Sequence, residues 1–191
     1  MSGMTEETIT LRERYLGAPE FDEMLATAEK NAELWAAVWR RARVPEEFVH
    51  RVAALGGAWH LLVLSEDWCG DAVNTVPIIA KLAELAPNLD LRVLARDHNL
   101  DLMDAHLTGT SRSIPAVIML DEDFVERGWW GPRPAELQSW VLGPGRALEK
   151  DARYREVRGW YARDAGRTTL DEVVAALERA ATTSSRVATG P

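Results

Sequence analysis

Three short apolar runs separated by helical patterns constrain this chain more than any other feature. Residues 59–65 read WHLLVLS, residues 89–95 alternate as LDLRVLA, and residues 115–120 read PAVIML. Each has the length of a strand, and the first is nearly continuous in apolar character, as a strand buried on both faces of a sheet requires. A helical pattern spans residues 70–86, and a shorter one spans 99–107. Asp121-Glu122-Asp123 predicts a turn into an extended segment over 124–129, followed by a helix over 134–142 that Gly143-Pro144-Gly145 stops. The order strand, helix, strand, helix, strand predicts a small α/β sandwich.

Helices are expected on either side of that core. Phe21, Leu25, Ala28, Ala32, Trp35, Trp39 and Ala42 recur at spacings of four and three, which predicts one amphipathic helix over 21–42. Pro45, followed by Glu46 and Glu47, suits the first turn of a second helix that Gly56-Gly57 ends. Residues 146–163 are charged and read as irregular, whereas Thr169-Leu170-Asp171-Glu172 reads as a capping box opening a last helix. The predicted organisation is an N-terminal helical extension over 1–58, the core over 59–142, a C-terminal extension over 143–182, and a disordered tail over 183–191, where Ser, Thr and Gly leave little apolar surface to offset ordering entropy.

Charge and cysteine count exclude several classes of function. With 22 Lys and Arg against 30 Asp and Glu, the net charge is −8, which opposes binding to nucleic acid or an anionic membrane. A single cysteine, Cys69, excludes an intrachain disulfide and a Cys-rich zinc site. His50, His60, His98 and His106 lack the spacing of metal ligands, so neither a metal nor another cofactor is expected, and Asp97-His98-Asn99 reads as a cap for the short helix. The start, MSGMTEETIT, lacks the basic and apolar regions of a leader, and no run of about 18 apolar residues is present, so a cytoplasmic protein is expected. The sequence does not fix the oligomeric state.

The chemical signal lies where the first strand runs into Trp68-Cys69-Gly70-Asp71-Ala72 and a helix carrying Pro77, eight residues after the cysteine. A cysteine at a helix N-terminus faces unpaired N–H groups and the positive dipole end, both of which favour the nucleophilic thiolate. Together with Arg112-Ser113-Ile114-Pro115 leading into a strand, these features resemble the thioredoxin superfamily over residues 59–142. The flanking helices and Trp160-Tyr161-Ala162-Arg163-Asp164 are similar to those of a bacterial subgroup of thioredoxin-like proteins. The resemblance implies a thioredoxin-like three-layer sandwich with a central mixed sheet and extra N- and C-terminal helices. It also implies an exposed Cys69 as nucleophile, a cis bond before Pro115, and a substrate groove formed by Trp68, Gly70, Ile114 and Pro115, with Ile114 offering its backbone to an extended peptide.

Two departures qualify that implication. The position of the second cysteine in dithiol members is Ala72, so exchange at Cys69 needs an external thiol, from a small molecule or a partner protein, to resolve the mixed disulfide. Val63 stands where thioredoxins usually carry a buried acid. Glu66, Asp67 and Asp71 oppose a thiolate while the helix end, Arg112 and Arg133 favour one, so the sequence leaves the direction of the Cys69 pKa open. Asp71 is either a first-turn helix acid or a substrate ligand, and Arg133 either grips a carboxylate or is solvated. Of Trp129 and Trp130, alternation along a strand exposes one. Two functions remain in view: monothiol thiol–disulfide exchange with a disulfide-containing protein or small thiol as partner, and a redox-inactive binding module that kept the groove. The Thr-x-x-Cys pattern of peroxiredoxins is absent.

Overall fold

The computed structural model describes residues 9–188; the leader reading over residues 1–8 and the final three positions of the expected tail lie outside them. The elements run α1 (Leu11–Gly17), α2 (Phe21–Thr27), α3 (Ala32–Arg41), α4 (Glu46–Ala53), β1 (Trp59–Ser65), α5 (Gly70–Leu85), β2 (Leu89–Ala95), α6 (Leu100–Asp104), β3 (Ala116–Leu120), β4 (Glu126–Trp130), α7 (Ala135–Leu142), α8 (Lys150–Asp164) and α9 (Arg167–Ala188). The sheet is mixed, in the order β2-β1-β3-β4, with β1 parallel to β2 and β3 antiparallel to both β1 and β4. In the centre, β3 is buried throughout and β1 at every residue but His60, whereas edge strand β2 alternates, as its sequence does. Helix α5 packs on β2 and α9 on β4, and the two helices touch each other. One cluster of buried side chains runs from Tyr15 to Ala180 and joins the flanking helices to the sheet.

The helix expected over 21–42 is two helices, and the break is made by the loop that carries the chemistry. Ala28 ends α2, and Asn31 takes a left-handed φ of 55° before α3. The N–H groups of Glu29 and Lys30 donate to Asp67 Oδ2 at 2.9 and 2.8 Å, and Trp35 Nε1 donates to the Asp67 carbonyl at 2.9 Å. Trp35 is fully buried, so this bond ties α3 to the residues just before Cys69. Trp35→Phe loses the bond and part of the ring volume, with an expected cost of about 2–3 kcal/mol in urea unfolding. A cost under about 0.5 kcal/mol would show that the indole does not anchor the loop.

Several expectations near the ends are corrected. Most of residues 146–163, read as irregular, fall in α8; Lys, Arg, Glu and Ala are strong helix formers, and Ala165 and Gly166 at positive φ stop the helix. Thr169 does not cap α9 but sits inside it, wholly buried, while the Asp164 carboxylate accepts the Thr168 N–H. Helix α9 continues to Ala188 instead of ending near residue 182, with the Thr182 and Thr183 hydroxyls donating to carbonyls one turn back. A Thr10-Glu13 capping box opens α1, which the sequence reading missed. The Asn99 side chain caps nothing; it donates to the Ala95 carbonyl and accepts from Arg14. Pro77 does not break α5.

Neither tryptophan at the end of β4 is exposed. Trp130 is buried with its Nε1 donating to Glu172 at 2.8 Å, and the half-buried Trp129 meets His106 edge-on at 5.7 Å. His106 is buried between the Leu102 carbonyl (2.7 Å) and Glu126 Oε1 (3.0 Å). Burial opposes its charge, but the bonds to Glu126 and Leu102 outweigh burial and raise its pKa. A raised folded-state value stabilises fully below the unfolded value and is lost as pH rises through the folded one. The Tm advantage of wild type over His106→Gln should therefore narrow as pH is raised above about 6.5. An advantage that is constant or grows across that range would contradict a charged His106.

Candidate functional site

Strand β1 ends at Ser65, and the loop through Glu66 and Asp67, held by the α2–α3 break, delivers Cys69 to the N-cap of α5. The Cys69 Sγ accepts the Ala72 N–H at 3.5 Å. It lies 3.4 Å from the Ile114 carbonyl, the geometry of an S–H donating to that oxygen. The Ile114–Pro115 peptide bond is cis, as is Gly131–Pro132. Cys69 was expected to be exposed, yet it is only 7% accessible. Burial is the first cause that pushes its thiol above the ordinary range; the N–H groups of Ala72 and Asp71 and the Arg133 charge pull down, and the Asp71 charge adds to the rise. The direction left open by the sequence is therefore upward, and the resting group is the thiol.

Buried though it is, Cys69 reaches a cavity of about 540 Å³. Trp68, Gly70, Asp71, Ile114 and Arg133 line it with Cys69, so the structure brings together all but one of the expected site residues. The exception is Pro115, which is buried and does not line the cavity. Its carbonyl lies behind the site, 2.1 Å from where a Cβ on Gly131 would stand. The Ile114 carbonyl receives the thiol in the resting state and keeps a second lone pair.

Asp71 and Arg133 hold each other. The Asp71 carboxylate accepts from Arg133 Nη2 and, at 2.8 Å, from the Tyr161 hydroxyl, while Arg133 Nη1 donates to Gln138 at 2.9 Å. Both are largely buried, so neither the solvated reading of Arg133 nor that of Asp71 as a simple helix-end acid describes them. Burial opposes the Arg133 charge, but Asp71 outweighs it and raises the pKa; burial and the Asp71 charge push the Tyr161 hydroxyl far above its ordinary value. Arg112, expected near the active face, lines the cavity and forms a two-toothed pair with Asp104.

The contribution of α8 was missed outright. Tyr154, Val157 and Arg158 line the cavity from this helix, and Tyr161, two turns along from Tyr154, fastens it to Asp71. The sequence signal was available in the helix formers of residues 150–158 and in the tyrosine of the Trp160-Tyr161 motif, but no apolar stripe marks the segment. Among the described residues, no group of three or more His, Cys, Asp and Glu side chains gathers as metal ligands.

A strand feeding a cysteine at a helix N-cap, faced by a cis-proline loop on a mixed four-stranded sheet, agrees with a family-wide pattern. The family model described as thioredoxin matches residues 18–154. This chain belongs to the thioredoxin family. Among solved structures, a crystal structure of a protein of unknown function from Pseudomonas aeruginosa is similar to this thioredoxin-family chain, with a TM-score of 0.73 at 20% identity over 90% of this chain and 98% of the other. An HIV epitope-scaffold is similar with a TM-score of 0.71 at 18% identity, over 89% and 98%. At those identities the likeness shows the fold. No curated protein matches the chain significantly.

Proposed function

We propose that this thioredoxin-family chain performs monothiol thiol–disulfide exchange through Cys69. The observation that carries the reading is the sulfur itself, at the N-cap of a sixteen-residue helix, under the Ala72 N–H, on the wall of a cavity large enough for a reactant. In the first step the Cys69 thiol loses its proton to water or buffer and the thiolate attacks one sulfur of a disulfide. A new S–S bond joins Cys69 to that sulfur, the old S–S bond breaks, and the departing thiolate takes a proton from water. With Ala72 three residues on, the chain carries no resolving cysteine. An external thiolate then attacks the substrate sulfur of the mixed disulfide and releases Cys69, which takes up a proton again. Electrons balance as one disulfide exchanged for another, without a cofactor.

The Ala72 N–H and the helix end stabilise the departing and attacking thiolate at Cys69, and burial keeps the resting group protonated. Such a group is slow at neutral pH and quickens as pH rises. Dependence on an external thiol fits a reducing compartment such as the cytoplasm; no helix among the described residues is long and apolar enough to cross a membrane.

Incubation with an oxidised small-molecule thiol, followed by intact mass measurement, tests the reading. Wild type should gain one thiol adduct, faster at higher pH across about pH 6 to 9.5, a range bracketing the free thiol value. Cys69→Ser should gain none. An unmodified wild-type mass throughout would overturn exchange and leave a redox-inactive binding module.

A further inference from the structure

The cavity at Cys69 differs in charge from the rest of the molecule. The chain as a whole carries −8, yet four arginines line this cavity, Arg96, Arg112, Arg133 and Arg158, against one carboxylate, Asp71. Arg133 and Asp71 neutralise each other. Arg96 pairs with Asp97 and Arg112 with Asp104, both carboxylates that do not line the cavity and remain about half exposed. Arg96 is held by Asp97, the Arg112 carbonyl and the Trp68 ring, whereas the Arg112–Asp104 pair is about half exposed on both sides, where solvent screens it and a competing anion can reach Arg112. Arg158, exposed on α8, has no ion pair or hydrogen bond among the described residues. The mouth of the cavity is therefore cationic within an acidic protein, and a local field of that sign concentrates anions and repels cations.

Its shape selects size. About 540 Å³ lies within the roughly 300–1,000 Å³ of small-molecule sites. The side where an extended chain would lie against Ile114 is narrowed by α8, which Tyr161 fastens to Asp71 and which walls the cavity. Trp68 is exposed, with the Arg96 guanidinium 5.1 Å over its ring, and offers a flat apolar wall for a short aliphatic stem beside a cation.

We infer that the site takes a low-molecular-weight disulfide that carries carboxylates, its sulfur at Cys69 and its carboxylates at Arg158 and Arg112, in place of an extended segment of a protein. The inference rests on exchange at Cys69 and names its substrate class. The covalent step is unchanged: one S–S bond forms to Cys69, one breaks, and the small thiolate that leaves takes a proton from water.

Three symmetric disulfides of similar length provide the test: dithiodipropionate as dianion, bis(2-hydroxyethyl) disulfide as neutral molecule and cystamine as dication. The rate of adduct formation at Cys69, read by intact mass, is divided by the rate of the same disulfide with the neutral thiol 1-thioglycerol at the same pH, which removes intrinsic reactivity. The expected order is anion, neutral, cation, with at least about a tenfold span at low salt that narrows as salt is added. Arg158→Glu should lower the anion-to-neutral ratio at least about fivefold. Equal normalised rates, a cation-first order, a span indifferent to salt, or an Arg158→Glu ratio like that of wild type would overturn the substrate class while leaving exchange standing. No adduct with any of the three would overturn exchange itself.

Discussion

Gly131→Ala should destabilise the protein by about 3–5 kcal/mol in urea unfolding, combining backbone strain with a forced overlap. Gly131 sits at φ +140°, a conformation L side chains rarely adopt, and its added Cβ would stand 2.1 Å from the Pro115 carbonyl oxygen and 3.1 Å from its carbon. The obstacle is backbone, which cannot swing aside as the end of a long side chain can. Any relief must move the 114–116 segment, and that segment holds the carbonyl that receives the Cys69 thiol. The variant should therefore also change the rate at which iodoacetamide alkylates Cys69. A cost below about 1 kcal/mol with unchanged alkylation would show that β4 and the proline loop are not packed as described.

Asp71→Asn should have opposite effects on stability and reactivity. The substitution keeps an oxygen for the Tyr161 hydroxyl but leaves the largely buried Arg133 guanidinium without its counter-ion, at an expected cost of about 2–3 kcal/mol. At the sulfur the sign is reversed. The Asp71 charge raises the Cys69 pKa and the Arg133 charge lowers it, so removing the first leaves the second unopposed and the thiol more acidic. Alkylation of Cys69 near neutral pH should quicken about three- to tenfold. A slower rate in Asp71→Asn, in a folded protein, would show that the carboxylate supports the thiolate instead of opposing it.

What the sequence disclosed and what it hid divide along the range of the interactions involved. The runs at 59–65 and 89–95 match β1 and β2 end to end, because burial at the centre of a sheet and alternation at its edge are written in consecutive residues. The position of Cys69 at the helix N-cap follows from the same local grammar of strand, loop and glycine. The division of residues 21–42 was not legible, since the seam of apolar residues continues across it and the cause is a carboxylate at position 67 that takes two N–H groups from the gap. Helix α8 was hidden for a different reason. Among its residues only Tyr161 is buried, so it carries no stripe for a periodicity to detect, and it is latched through Tyr161 to a residue ninety positions earlier and through Trp160 to Glu136. The burial of Cys69 depends on distant partners too, with its S–H turned to a carbonyl forty-five positions away. Asp71 and Arg133 are each singled out by the sequence and both lie on the cavity wall, but only their juxtaposition reveals that they neutralise each other, beside Arg96 and Arg112, paired with carboxylates outside the cavity, and Arg158.

The most direct test is the pH profile of Cys69 alkylation in the folded protein. A single sigmoid in the rate is expected, its midpoint above the free thiol value of about 8.5, with full modification at high pH while the protein remains folded. A midpoint near or below neutrality would contradict the buried, protonated resting thiol. A cysteine that stays unmodified until the protein unfolds would contradict its role as a nucleophile.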